Sequence, residues 1–138
     1  MNAVRYRHRV RSYEVDHQGF VFNGRYLEIT DAAMAEYFRG LGFAYPELID
    51  AGFDPAVVSI ELRFERPARL DDQLVIDARC AHVGRSSFVL VFTFTRDEQA
   101  LAEVRTTYVN VAAASETSVP IPRDIRDRLV DSSMKESS

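Results

Sequence analysis

The segment YEVDHQGFVFNGRYLEITDAAMAEYFRGLG, residues 13–42, joins the end of a predicted strand to a long amphipathic helix. Between the two elements lie the carboxylate of Asp16 and the turn-forming pair Asn23-Gly24. From Tyr26 to Leu41 apolar side chains recur at helical spacing, and Gly42 is a typical helix terminator. The predicted buried stripe of this helix comprises Leu27, Ala33, Met34, Tyr37, Phe38 and Leu41. The segment therefore predicts a carboxylate held close to the start of a helix.

The start of a helix has chemical properties of its own. Its first backbone N–H groups lack helical partners, and this end of the helix carries a partial positive charge. A carboxylate beside such groups can act on an electrophilic carbonyl whose oxygen the N–H groups stabilise. Asp16 is therefore a candidate reactive group, although short polar side chains also cap turns and helix starts.

Strand patterns flank this helix on both sides. Alternation of apolar side chains with arginines predicts a half-buried strand from Val4 to Tyr13. A short helix is predicted next, and four strand-like runs follow it: Val57–Phe64, Leu74–Ala81, Ser87–Thr95 and Leu101–Val111. Their short connections predict an antiparallel meander. The expected class is α+β, with five antiparallel strands curling around one long central helix.

The domain organisation is expected to be simple. A chain of 138 residues is long enough for one domain with a substantial core. Because no linker or internal repeat interrupts the pattern, we predict a single domain over residues 1–130. The sequence IRDRLV, residues 125–130, is compatible with a final helical turn, and the polar residues 131–138 predict a disordered tail.

Composition and charge exclude several classes of function. The net charge is -4, and acidic and basic residues are interspersed, which argues against a nucleic-acid-binding face. The single cysteine, Cys80, cannot form an internal disulfide, and no apolar run is long enough to span a membrane. The basic N-terminus lacks the apolar core of a signal peptide. We therefore expect a cytoplasmic protein without a membrane partner.

The residues 16–27, DHQGFVFNGRYL, resemble a segment of the hotdog-fold acyl-CoA thioesterases of the 4-hydroxybenzoyl-CoA thioesterase and YbgC-like family. The family pattern runs from aspartate through glycine to Asn or His, and then to Tyr at the helix start. The resemblance continues through residues 59–96, with the Arg66-Pro67-Ala68 corner, and through LAEVRTTYVNV, residues 101–111. It implies the hotdog fold, a five-stranded antiparallel sheet wrapped around one helix.

The resemblance also implies an activity. It implies an enzyme that hydrolyses a CoA or carrier-protein thioester as a dimer or tetramer with sites at subunit boundaries, and we expect it to need no metal or bound cofactor. Asp16 takes the position of the catalytic carboxylate, as nucleophile or as general base that deprotonates a water. Asn23 occupies the position of the family's Asn or His, and it is either a second catalytic residue or simply a turn residue.

The same resemblance supplies candidate substrate contacts. The turn after the second long strand often meets the CoA phosphates, and a partner subunit brings residues 55–59 near the aspartate. Oxyanion donors are expected among the backbone amides of residues 24–26 or 55–59. Tyr26 lies at the helix start, where packing against the core is an alternative role. The expected substrate-binding residues are Tyr26, Val58, Ser59, Arg85, Ser86 and Ser87.

Two other functions remain open from the sequence. His17 beside Asp16 is the only hint of a hotdog dehydratase or hydratase, although a solvent-facing histidine is the simpler interpretation. A catalytically silent acyl-CoA-binding protein is the second alternative. No Ser lies in a G-x-S-x-G motif, and Cys80 is most simply a small buried strand residue. The histidines and carboxylates are not spaced like metal ligands, so no metal is expected. The acyl group is not determined.

Overall fold

The secondary structure consists of a strand, two helices, a run of strands and a C-terminal helix. The computed structural model describes residues 4–137. The elements are β1 (Val4–Arg9), a 3₁₀ turn (Ser12–Glu14), α1 (Arg25–Gly40), α2 (Tyr45–Asp50), β2 (Pro55–Phe64), β3 (Gln73–Val83), β4 (Ser87–Arg96), β5 (Gln99–Ala112), β6 (Thr117–Ser118) and α3 (Arg123–Ser137). All the predicted strands and both predicted helices are present within a few residues of their expected bounds.

The sheet has the order β1-β3-β4-β5-β2 with antiparallel neighbours, and the two-residue β6 pairs with β5. The predicted α+β class, with five antiparallel strands around a long helix, is confirmed. The meander prediction is correct for β3, β4 and β5 and wrong for β2, which pairs with β5 at one edge of the sheet. The backbone amides of Glu65 and Arg66 both donate to the carbonyl of Leu101, so the chain leaves β2 across the sheet end and makes no hairpin.

Helix α1 packs its apolar face against the inner side of the sheet. Ala33 and Tyr37 follow Tyr26 by about two and about three helical turns, which puts all three side chains on the same face. The predicted inclusion of Leu27 is wrong, because Leu27 lies beside Tyr26 on the outer surface and is 40% exposed. Its place in the stripe is taken by Tyr26 itself. The buried residues of α1 are Tyr26, Ile29, Thr30, Ala33, Met34, Tyr37 and Phe38.

Helix α1 ends where the sequence predicts. Leu41 caps it, and Gly42 adopts φ 104°, a left-handed conformation that favours glycine. The chain then turns into α2, which has Pro46 in its first turn. Below this turn Phe53 and Phe88 pack on Phe38, with ring centroids 5.3 and 5.9 Å away. This aromatic cluster fixes the C-terminal end of α1 over the start of β4.

Helix α3 includes most of residues 131–138, the segment that we predicted to be a disordered tail. It runs from Arg123 through Ser137, and its apolar residues Ile125 and Leu129 are buried. The hydroxyl of Ser132 hydrogen-bonds to that of Tyr37, which extends the contact beyond residue 130. The last residue of the predicted tail, Ser138, lies outside the described residues. Within residues 4–137 no helix is both long and apolar enough to cross a bilayer.

Candidate active site

Asp16 lies in a tight loop just before α1. The stretches 14–16 and 20–22 run antiparallel and form a short ladder. Its last rung joins the N–H of Asp16 to the carbonyl of Phe20 at 2.8 Å. Gly19 makes the turn with φ 83°, and its N–H donates to the carbonyl of Asp16 at 2.9 Å. Asp16 therefore sits at the closed end of a hydrogen-bonded loop.

The two oxygens of the Asp16 carboxylate have different surroundings. Oδ1 accepts hydrogen bonds from the backbone N–H groups of Gln18, at 2.9 Å, and Phe20, at 3.3 Å. Oδ2 has no hydrogen bond or ion pair with any group that the structure describes. The side chain is half-buried. One oxygen thus caps the loop, as the simpler sequence interpretation suggested, while the other is available for chemistry.

The loop is docked onto the link between β2 and β3. The N–H of Val21 donates to the carbonyl of Ala68 at 2.8 Å, and Phe20 forms a β-bridge with Arg69. The guanidinium of Arg69 lies over the Phe20 ring, 4.7 Å from its centroid. Sequence reasoning missed Phe20 and Arg69, because residues far apart in the chain gave no local signal of their contact.

The backbone amides at the start of α1 are only partly available as oxyanion donors. The N–H groups of Arg25 and Tyr26 donate to the carbonyls of Phe22, at 2.9 Å, and Asn23, at 3.3 Å. Within the described chain the N–H groups of Asn23 and Gly24 make no hydrogen bond. Of the predicted donors 24–26, the Gly24 amide is therefore the one that remains available.

Tyr26 is a core residue of the helix start. It is 2% exposed, and its ring centroid lies 5.1 Å from those of Phe64 and Phe94. Burial raises the pKa of its hydroxyl, partly offset by a backbone hydrogen bond with Ala68 and by the charge of Arg96. The phenol is therefore neutral near pH 7. This burial agrees with the packing role considered from the sequence, and the contact of Tyr26 with substrate stays a prediction.

Asn23 and His17 are both exposed, and neither contacts the carboxylate of Asp16 among the residues described. The predicted role of Asn23, to orient Asp16, a water or the substrate, stays a prediction. The ring of Phe22, which follows the loop, packs against Gly24 instead.

The predicted CoA-binding turn lies at the other end of the sheet. Arg85, Ser86 and Ser87 lie at the start of β4, whereas the Asp16 loop lies near the end of β4, where Tyr26 meets Phe94. A strand of 10 residues spans about 30 Å. The turn is tied to the sheet, since the carbonyl of Ser86 accepts from the N–H of Asn110 at 2.7 Å. A single chain therefore does not bring Arg85 to Asp16.

Strand β2, which carries Val58 and Ser59, is an edge strand with apolar side chains on the surface. It pairs with β5 on one side, and the structure describes no strand on its other side. A register shift between Val57 and Ser59 leaves Val58 58% exposed. The exposed apolar residues of this strand are Val57, Val58, Ile60, Leu62 and Phe64. An edge of this kind is suited to pairing with another chain.

A pocket of about 460 Å³ opens between α1, α2 and the start of β2. Its walls combine apolar groups with carboxylates; they include Glu28, Asp31, Ala35, Tyr45, Val57 and Tyr108. Burial, together with the nearby charge of Asp31, raises the pKa of Tyr108 far above its ordinary value. Sequence reasoning missed this pocket because its walls come from four separate elements.

Possible metal ligands and Cys80 are the remaining groups with a chemistry of their own. Among residues 4–137 no group of three or more His, Cys, Asp or Glu side chains lies close enough together to hold a metal ion. Cys80 is buried in β3, as predicted, with its Sγ 3.6 Å from the carbonyl of His82.

Comparison with known proteins bears on the family and the fold of this chain. The model of the thioesterase superfamily, 4HBT, matches residues 18–103, more than half of the chain. The matched region begins two residues after Asp16. The long-chain acyl-CoA thioesterase FadM of Escherichia coli is 27% identical over 124 residues, which cover 88% of this chain and 92% of FadM.

Solved structures of thioesterases share the fold. A gentisyl-coenzyme A thioesterase superposes with a TM-score of 0.82 at 26% identity, covering 91% of this chain and 98% of that chain. A thioesterase from Thermus thermophilus, solved with coenzyme A and zinc, gives 0.81 at 25% identity, with 95% and 94% coverage. The predicted hotdog fold and the predicted resemblance to the family are both confirmed.

Proposed function

Because the chain belongs to the thioesterase superfamily and is a thioester hydrolase, we propose that it hydrolyses an acyl-CoA thioester with the carboxylate of Asp16. The observation that carries this proposal is the asymmetry of that carboxylate. Oδ1 is fixed by two loop amides, and Oδ2 has no partner within residues 4–137. A reactive oxygen held in one orientation, at a half-exposed position, is what attack on a bound carbonyl requires.

The proposed reaction has two alternative first steps that use the same oxygen. Oδ2 attacks the thioester carbon and forms an anhydride that water then hydrolyses, or it removes a proton from a water that attacks. In both routes the carbonyl oxygen gains negative charge, and the thiolate of CoA leaves. The N–H of Gly24, which makes no hydrogen bond among the described residues, is the proposed donor for that oxygen, and it lies at the positive end of α1.

We also propose that a second copy of the chain completes the site. Two β2 edges that pair about a twofold axis run antiparallel, so the start of one strand lies near the end of the other. The Asp16 loop lies near the end of β2, since Tyr26 contacts Phe64. The partner's copy of residues 55–59 would therefore approach that loop. The partner's copies of the pocket and of the Arg85 turn would come with it, which removes the separation of about 30 Å within one chain.

The pocket beside β2 is the proposed site of the acyl group. The apolar side chains of Ala35 and Val57 suit a hydrocarbon or aromatic group, while Glu28 and Asp31 line the same space. Two carboxylates repel an acyl group that carries its own carboxylate. The crystallised Thermus relative binds coenzyme A, which supports CoA rather than a carrier protein as the thiol.

A panel of acyl-CoAs assayed with a thiol reagent tests the proposal. The wild type and an Asp127→Asn control, changed at an exposed aspartate of α3, should release thiol from at least one substrate. Asp16→Asn keeps the acceptor for the loop amides but removes the nucleophile or base, so its kcat should fall by at least about a hundredfold. Full activity of Asp16→Asn would contradict the mechanism.

The same panel separates the dehydratase alternative. His17 is exposed and makes no contact with Asp16 among the described residues, so no observation favours an acid–base pair there. An enoyl product without thiol release would support that alternative, and tight CoA binding without turnover would support a silent binding protein.

A further inference from the structure

Glu14 is a buried carboxylate that the proposed reaction does not use. Its side chain is 6% exposed, and it is the one acidic residue that is buried among those the structure describes. A buried carboxylate is unfavourable unless hydrogen bonds compensate for its lost hydration. A carboxylate at this position therefore needs hydrogen-bonding partners, and no local pattern in the sequence indicates which residues these are.

Both oxygens of Glu14 are satisfied by neighbouring groups. Nε2 of His8 lies 2.9 Å from Oε1 and 3.0 Å from Oε2. Because a carboxylate only accepts, Nε2 carries the hydrogen and donates it. The backbone N–H of Arg11 donates to Oε1 at 2.7 Å, and the N–H of Glu14 donates back to the carbonyl of Arg11 at 3.0 Å.

These contacts connect the Asp16 loop to the sheet. His8 belongs to β1, which pairs with β3 from Val4 to Arg9. Glu14 is the first residue of the ladder that carries Asp16, and its carbonyl accepts from the N–H of Phe22 at 2.9 Å. The Glu14 side chain therefore ties the first residue of the ladder to β1, two residues before Asp16.

We propose that the Glu14–His8 pair is a positioning device for Asp16. Glu14 and His8 touch neither substrate nor reacting atoms; they hold the base of the loop against β1 so that Oδ2 of Asp16 keeps one orientation. The inference rests on the proposed function, because it assigns the pair to the reaction of Asp16. A group held this way acts on the rate of the chemical step rather than on substrate affinity.

The kinetics of four variants test whether the Glu14–His8 pair positions Asp16. Glu14→Ala and His8→Ala should lower kcat by about tenfold or more, with KM changed by less than about twofold. Glu14→Gln keeps a carbonyl acceptor of the same shape and should retain kcat within about threefold of the wild type. Glu47→Ala is the matched control, because Glu47 accepts from the N–H of Ala44 at 2.8 Å in a similar cap at α2. It should leave both constants unchanged.

Amide hydrogen exchange gives a readout that needs no substrate. The N–H groups of Gln18 and Phe20, which donate to Asp16, should exchange faster in Glu14→Ala and not in Glu47→Ala. Unchanged exchange at these amides, or a kcat of Glu14→Ala equal to that of the wild type, would overturn the inference. A wild type that hydrolyses no acyl thioester would refute the proposed function, and the exchange measurement would still decide whether Glu14 holds the loop.

Discussion

The ring of Phe22 packs directly on the backbone of Gly24 at the start of α1. A Cβ atom added to Gly24 would lie 3.0 Å from Cε2 of Phe22 and 3.4 Å from Cδ2. Gly24 has ordinary right-handed helical angles, so the ring rather than the backbone conformation restricts this position. The residue whose amide is proposed as oxyanion donor thus has an aromatic ring beside its Cα, and this ring belongs to a residue that is itself 53% exposed.

Gly24→Ala should therefore impair activity more than stability. The new methyl group displaces the Phe22 ring, which can move toward solvent, so the free energy of unfolding should change by less than about 1 kcal/mol. Because the ring borders the proposed oxyanion site, kcat/KM should fall by about tenfold. In a Phe22→Ala background the same Gly24→Ala change should have little further effect. If the losses of kcat/KM in the two single variants add up in the double variant, the Phe22 ring does not mediate the effect of Gly24→Ala.

Stability should decrease at alkaline pH. Burial raises the pKa of Tyr26 and, more strongly, of Tyr108 above the ordinary value of 10.0. Their contribution is fully present below that value. Above it these tyrosines ionise in the unfolded chain while they stay protonated in the folded one, so the free energy of unfolding falls as pH rises. Denaturant titrations from neutral to alkaline pH should show this slope. Tyr108→Phe should reduce it, whereas Tyr13→Phe, at an exposed position, should not.

The carboxylates of the pocket predict a charge preference among substrates. Acyl-CoAs with a terminal carboxylate should have a lower kcat/KM than neutral acyl-CoAs of the same length, because Glu28 and Asp31 repel the second carboxylate. Asp31→Asn should raise the relative kcat/KM for the dicarboxylic substrate by about threefold or more. Glu103→Gln, at an exposed position on β5, is the control. Equal effects of the two substitutions would indicate a general charge effect and refute the pocket assignment.

The β2 edge predicts a link between assembly and activity. Ile60→Lys places a charge in the middle of the exposed edge, where it opposes pairing of two strands. Sedimentation velocity should show a shift from oligomer to monomer, and thiol release should fall by at least about tenfold, since the partner's residues would be lost. Ile49→Lys, on the exposed side of α2, should change neither. A fully active monomeric Ile60→Lys protein would exclude a site shared between chains.

Nearly all of the secondary structure could be predicted, because apolar periodicity and turn residues depend on residues that are close together in the sequence. Helix α1 shows this well, since Gly42 ends it as predicted. The misassigned Leu27 shows the limit of periodicity: Tyr26 and Leu27 are both apolar, and only the direction of the sheet decides which is buried. The edge position of β2 was missed for a similar reason, since strand order depends on contacts between residues distant in sequence.

The candidate site was likewise predicted where its contacts are local and missed where they join residues distant in the sequence. The Asp16 loop was recognised because its residues are consecutive, and its hydrogen bonds join neighbours in the sequence. Glu14 was overlooked because its importance comes from His8, six residues earlier on another element. Arg69 and the pocket likewise depend on tertiary contacts.

The charges along β2 have a consequence for how two edges would align. Glu61 and Arg63 flank Leu62 and lie on the same side of the strand. If two copies pair antiparallel about Leu62, each Glu61 faces the other copy's Arg63, at a Cβ separation of about 5 Å. A register shift of one residue separates these opposite charges and moves the apolar side chains to the opposite faces of the sheet. In such a pairing these charges would favour one register, and charges on an exposed edge discourage stray pairing with unrelated extended chains.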